Sequence, residues 1–143
     1  NQKALDEQER ANKAASQRRE QEAKRLSAEL ARLAPREVLV SEVREGVWAE
    51  VVRDAGAAIT ALSRGSFDSA GAEARLSALF GVAGLAAFGG FGRAEVSAMG
   101  AVVEYLDLTQ RGNLPLLRPP VREASGGASS WRRRAAVCIC RLR

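Results

Sequence analysis

PREVLVSEVREGVWAEVVRDAGAAITAL, residues 35–62, decides the fold class. Pro35 ends whatever helix precedes it, because its ring and its missing N–H cannot continue one. Glu37-Val38-Leu39-Val40 then reads as a short buried strand, bounded by Pro35 and by Ser41-Glu42 and too short for a helix. Gly46 to Asp54 reads as a helix that offers Val47, Trp48, Val51 and Val52 to a core, with Gly56 as its cap. Ala57 to Leu62 follows as a second strand, a weaker one because alanine is a poor strand former. Alternation of strand, helix and strand implies an α/β layer with parallel strands. Two strands make no sound sheet by themselves, so further strands are expected from outside this chain.

Upstream, residues 1–34 predict one long helix: Ala, Gln, Glu, Lys and Arg fill it, and neither Pro nor Gly occurs before Pro35. Its halves differ. Up to Lys24 the only large aliphatic residue is Leu5, and Ala11, Ala14, Ala15 and Ala23 make a weak stripe. Sustained apolar heptads are missing, which argues against a coiled coil and for a solvated helical extension. From Arg25 onward, Leu26, Leu30 and Leu33 recur at helical spacing and face a core.

Downstream, Ser69 to Phe80 reads as a helix with Asp68 as N-cap, Leu76, Leu79 and Phe80 on its buried side, and Gly81 as its stop. Gly84 to Phe88 is a brief helical turn and Gly89 to Gly92 a loop. A further helix begins at Arg93, with Val96, Met99, Val103 and Leu106 along one face and Ala98, Ala101, Val102 and Tyr105 widening it. Gly112 and Asn113 end it, Pro115 forbids its resumption, and Leu114, Leu116 and Leu117 make the exit segment apolar enough to pack. Ser125 to Ser130 is linker-like, and Ala135 to Arg143 alternates loosely, as a terminal strand would.

The 143 residues fit one domain of ordinary composition. The chain opens on Asn1 rather than Met and is expected to be a piece of something longer. No apolar run is long enough to span a membrane, and cytoplasmic residence is the expectation. The formal charge of +5 is unevenly spread. Residues 1–35 carry eight Lys/Arg against six Asp/Glu, residues 36–121 eight against ten, and residues 122–143 six against one. The basic excess lies at the ends, which gives no clustered face for a phosphate backbone.

Motifs with chemistry are few. There is no histidine, hence neither the commonest general base nor the commonest metal ligand. The sequence contains no G-x-x-x-x-G-K-[ST] phosphate loop and no G-x-S-x-G elbow. Gly89-Gly90-Phe91-Gly92 precedes a helix but lacks the lysine and the preceding strand of a phosphate loop, so it reads as a turn. Cys138 and Cys140 form a C-x-C pair with no second pair to complete a zinc site. The carboxylate pairs Asp68 with Glu73 and Glu104 with Asp107 carry little, the latter reading as a solvated helix face. Trp131 beside Arg132, Arg133 and Arg134 imitates a basic-aromatic patch only weakly. No catalytic, cofactor-binding or metal-ligating residue is assigned; Leu106, Tyr105 and Leu114 are expected to pack.

The run FDSAGAEARLSALFGVAGLAAFGGFGRAEVSAMGAVVEYLDLTQRGNLPLLRPP resembles the MutS family of bacterial DNA mismatch-recognition proteins, where the connector domain hands over to the core, or lever, domain. Its most specific pieces are Phe80-Gly81-Val82, Phe88 through Gly92, AMGAVVEYL, and Thr109-Gln110-Arg111-Gly112 followed by Leu114-Pro115. Upstream, LSAELARLAPREVLVSE resembles the helix and strand near the end of the connector. The resemblance covers Arg25 to Pro120, and it implies a mostly helical α/β fold. That fold comprises a partial RNase H-like connector of two short strands with helices, a long core-domain helix after it and a long N-terminal helix before it. The implied organisation is an extension outside the family at 1–24, a connector part at 25–66, the start of the core at 67–121, and a linker with a basic tail outside the family at 122–143. Residues 1–24 depart because the family has strands there. SSWRRRAAVCICRLR departs because it resembles a GC-rich gene read in the wrong frame, which suggests a frameshifted or chimeric end.

The resemblance implies a parent that binds mismatched DNA as a homodimer, uses ATP with Mg, and recruits MutL. The mismatch-reading Phe-x-Glu motif and the ATPase phosphate loop have no counterpart here, so the segment is expected to link those regions, to hold no cofactor, to take no small-molecule substrate and to be inactive alone. Two other readings stay open: a helical protein–protein interaction module, and a nucleic-acid-binding protein that uses its basic tail.

Overall fold

The computed structural model describes residues 1–121 and the backbone of residues 137–140. Helix α1 (Gln2–Leu33) is unbroken over 32 residues, as its composition dictates. Only its last third is buried: Leu26 and Leu30 enter a core, whereas Leu5 stays 64% exposed. On the solvated part, Lys24 sits 2.9 Å from Glu20. Its hydrogen bond, and then its charge, hold the Glu20 carboxyl below the usual carboxylate range. The helix ends at Ala34, which takes a left-handed conformation (φ 44°) and donates its N–H to the Leu30 carbonyl before Pro35.

Strands β1 (Glu37–Ser41) and β2 (Ala58–Leu62) pair in parallel, from Glu37 opposite Ala58 to Ser41 opposite Leu62. Helix α2 (Glu45–Asp54) makes the crossover. Gly56 follows with φ +76°, the left-handed turn that a glycine permits. A third strand, β3 (Val137–Cys140), lies antiparallel on the other edge of β1, so the sheet order is β2-β1-β3. That strand corrects the expectation that every further strand comes from outside the chain. The central strand needs partners for its backbone groups along both edges, and the alternating tail supplies one set. Val38 and Val40 meet Leu26, Leu30, Trp48, Val52 and Ala57 in the first of two cores.

The second core belongs to helices α3 (Ser69–Phe80) and α4 (Arg93–Thr109). Asp68 caps α3, its Oδ2 accepting the Gly71 N–H at 2.8 Å, and Gly81 ends the helix with φ +64°. Ala72, Leu76, Leu85, Val96 and Val103 form the centre, with Met99, Leu114 and Leu117 packed around it. The rings of Phe80 and Phe88 meet edge to face at 5.5 Å. Leu116, expected to pack with its neighbours, is instead fully exposed, because the sheltered positions of this proline-punctuated segment, Leu114, Leu117 and Pro120, recur every third residue, the polyproline II period.

The two helices touch through backbone rather than through large side chains. A Cβ built on Gly100 would lie 2.2 Å from the Ala72 Cβ and 2.8 Å from its Cα. One turn along α3, Arg75 donates to the Gly100 carbonyl at 3.0 Å and reaches the Glu104 carboxylate at 3.4 Å. Glu104 is therefore half-buried and paired across the seam, not a member of a solvated face with Asp107.

Two substitutions test this packing by urea unfolding. Leu30→Ala is expected to cost about 2–5 kcal/mol, and Leu5→Ala to stay within about 0.5 kcal/mol of the parent. Gly100→Ala would stabilise an isolated helix by about 0.5–1 kcal/mol; here overpacking against Ala72 makes it destabilising, by about 1–3 kcal/mol.

Candidate functional site

Where β1 and β2 end, their polypeptide turns into helical segments, and the same edge receives the start of α4. The result is a cleft of about 560 Å³ at the carboxyl ends of two parallel strands, the usual place for a crevice in an open α/β sheet. Ser41 closes β1 and lines this cleft. Arg44, the N-cap of α2, contributes the next wall. After β2, the 3-10 turn Arg64–Phe67 contributes Arg64, Gly65 and Phe67. Asp68 and Ser69 come from the start of α3, and Arg93 and Ser97 from the first turns of α4.

The site is cationic. Of its charged side chains, Arg44, Arg64 and Arg93 are positive and only Asp68 is negative. Asp68 is occupied by capping α3. Arg93 donates from Nε to the Ser69 Oγ at 3.0 Å. The Arg64 backbone N–H donates to the Glu42 carboxylate at 3.3 Å, while among the described residues neither the Arg64 nor the Arg44 guanidinium meets a partner. Ser41 is only 5% exposed, and its Oγ has no hydrogen-bond partner. Three arginines from the starts of three separate helical segments carry no sequence spacing by which they could be recognised together.

At the opposite end of β1 a second polar group joins the sheet to α4. Tyr105 donates its hydroxyl to Glu37 Oε1 at 2.7 Å, and the Thr60 hydroxyl donates to the same oxygen. Tyr105 thus packs, as the sequence suggests, but with a polar anchor that sequence spacing does not show. Leu106 is buried and Leu114 packs at the margin of the second core. Glu73 is exposed and makes no carboxylate pair with the capping Asp68. Gly89 to Gly92 forms a loop whose last N–H is taken by the Glu95 carboxylate at 2.7 Å. The Cys138 and Cys140 side chains, Trp131 and Arg132 to Arg134 lie outside the described residues. Among the described residues, no helix is long and apolar enough to cross a membrane.

A family model described as "MutS domain II" matches residues 14–118, from within α1 to the exit segment after α4. The chain belongs to the MutS domain II family. Proteins named "DNA mismatch repair protein MutS" are similar to it. The one from Cereibacter sphaeroides is 69% identical over 103 residues, covering 72% of this chain and 11% of that protein. The one from Paracoccus denitrificans is 58% identical over 104 residues, covering 73% and 12%. The one from Roseobacter denitrificans is 56% identical over 99 residues, covering 69% and 11%. The chain therefore spans about a tenth of the length of the curated relatives it matches, and corresponds to a fragment of a MutS-family mismatch repair protein. No solved structure matches it. The MutS domain II fold here is mostly helical α/β with a parallel strand pair.

The Glu37 junction is tested by removing its donors. Tyr105→Phe is expected to cost about 1–2 kcal/mol in urea unfolding, with Thr60 still serving the carboxylate. Combining it with Thr60→Val leaves Glu37 without either hydroxyl, and the loss should exceed the sum of the two single losses.

Proposed function

We propose that this segment links the parts of a MutS-family protein that recognise mismatched DNA and hydrolyse ATP, and that it has neither activity alone. The observation that carries this reading is the 69% identity to a DNA mismatch repair protein together with a domain II match over residues 14–118. The packing is consistent with a transmitting role: α4 is tied to α3 at Gly100 and to the sheet at Glu37, so a displacement of the helix moves both cores. The absence of a phosphate-loop motif from the sequence supports inactivity alone. In this reading residues 25–66 act as the connector part and 67–121 as the start of the core, flanked by an extension at 1–24 and a tail at 122–143. ATP and Mg belong to the parent, as do mismatched DNA, MutL and a homodimeric partner, and the setting is the cytoplasm.

A chimera tests the proposal: residues 14–118 replace the matching segment of the Cereibacter sphaeroides relative. A normal spontaneous mutation frequency is expected in a strain lacking its own copy. In the same chimera Gly100→Ala should leave mismatch binding and basal ATP hydrolysis intact while weakening the dependence of one on the other. If that dependence is unchanged although the seam is disrupted, the segment is not the link.

A further inference from the structure

We infer that the cleft at the ends of β1 and β2 binds a phosphate monoester, held by Arg44, Arg64 and Arg93. This inference rests on the geometry of the cleft and not on the linking role. Two of the three guanidiniums have no partner among the described residues, so their planar donor forks are free to take an oxyanion at two oxygens each. The one carboxylate in the lining is turned to the Gly71 N–H and so faces its own helix.

Size separates a bare ion from an ester. The volume of about 560 Å³ falls within the usual range for small-molecule sites and far exceeds one phosphate. Val43 and Phe67 line the remainder, giving the organic part of an ester an apolar wall. Mononucleotides have this combination of a doubly charged phosphate and a flat, partly apolar body.

The test uses the full 143-residue chain. Inorganic phosphate and adenosine monophosphate are titrated in separate arms, followed by calorimetry and by the arginine Nε–H resonances. Both should bind saturably, and tighter binding of the nucleotide assigns the apolar wall to the organic group, whereas equal binding assigns the site to the phosphate alone. Arg44→Gln combined with Arg64→Gln should weaken binding by about tenfold or more, with an unchanged unfolding midpoint since both side chains are exposed. Absence of saturable binding at millimolar ligand overturns the inference, as does binding that the double substitution leaves unchanged. Equal affinity for an oligonucleotide with and without a 5′-phosphate, both stronger than for the mononucleotide, would also overturn it, since the cleft would then be reading a polyanionic backbone.

Discussion

The closest constraint in the molecule is the approach of Gly100 to Ala72, where no side chain beyond a hydrogen fits between one helix and the Cα of the next. Everything around it follows from that separation. Because the backbones nearly touch, Arg75 can reach a main-chain carbonyl in the middle of α4, which a wider spacing would put out of range. Leu76, Val96 and Val103 pack with Ala72 in the core that this contact belongs to. A glycine in a helix interior costs stability in its own right, and here it allows a contact that a larger residue would prevent.

The same seam sets the position of α4 against the sheet. Its first turns line the cleft at the end of β1, and Tyr105, near its other end, reaches Glu37 at the beginning of the same strand. One helix therefore spans the polar groups at both ends of β1. Buried Leu39 lies between them on the strand, on the face opposite Val38 and Val40. The cleft and the junction are two ends of one packing arrangement. A shift of α4 along its axis would alter both, which is why the Arg93 side of the cleft is tied to the placement of Gly100.

The elements were legible in the sequence wherever a single residue type forces a local outcome. Pro35 closes α1, Asp68 opens α3, and Gly81 and Gly112 supply left-handed turns after α3 and α4. Large apolar residues at helical spacing located both cores. The seam was not legible, because hydrophobic periodicity weighs bulk, and Ser97 and Gly100 are buried through their smallness. Nor was Glu37 legible as an acceptor for Tyr105, since the two are 68 residues apart and nothing local connects them. Ala34 is a third case: a left-handed alanine before a proline runs against the usual preference of that position, and its N–H closes the helix on the Leu30 carbonyl. The cleft combines three arginines that come together only after strand order is known. Family resemblance succeeded where these physical signals stopped, because it reads the whole pattern at once.

The sheet order has a kinetic meaning. β1 finds β2 only 21 residues along the chain, at Glu37 and Ala58, whereas its pairing with β3 spans about a hundred residues. Closing the longer loop costs roughly 1.4 kcal/mol more in chain entropy, before any contact is made. The parallel pair and its crossover helix thus form a local unit, and the antiparallel strand is a late addition with a lower threshold for release. Amide hydrogens that β1 directs toward β3 should then exchange with solvent through a smaller opening than those it directs toward β2, so that a single strand carries two levels of protection, one along each edge.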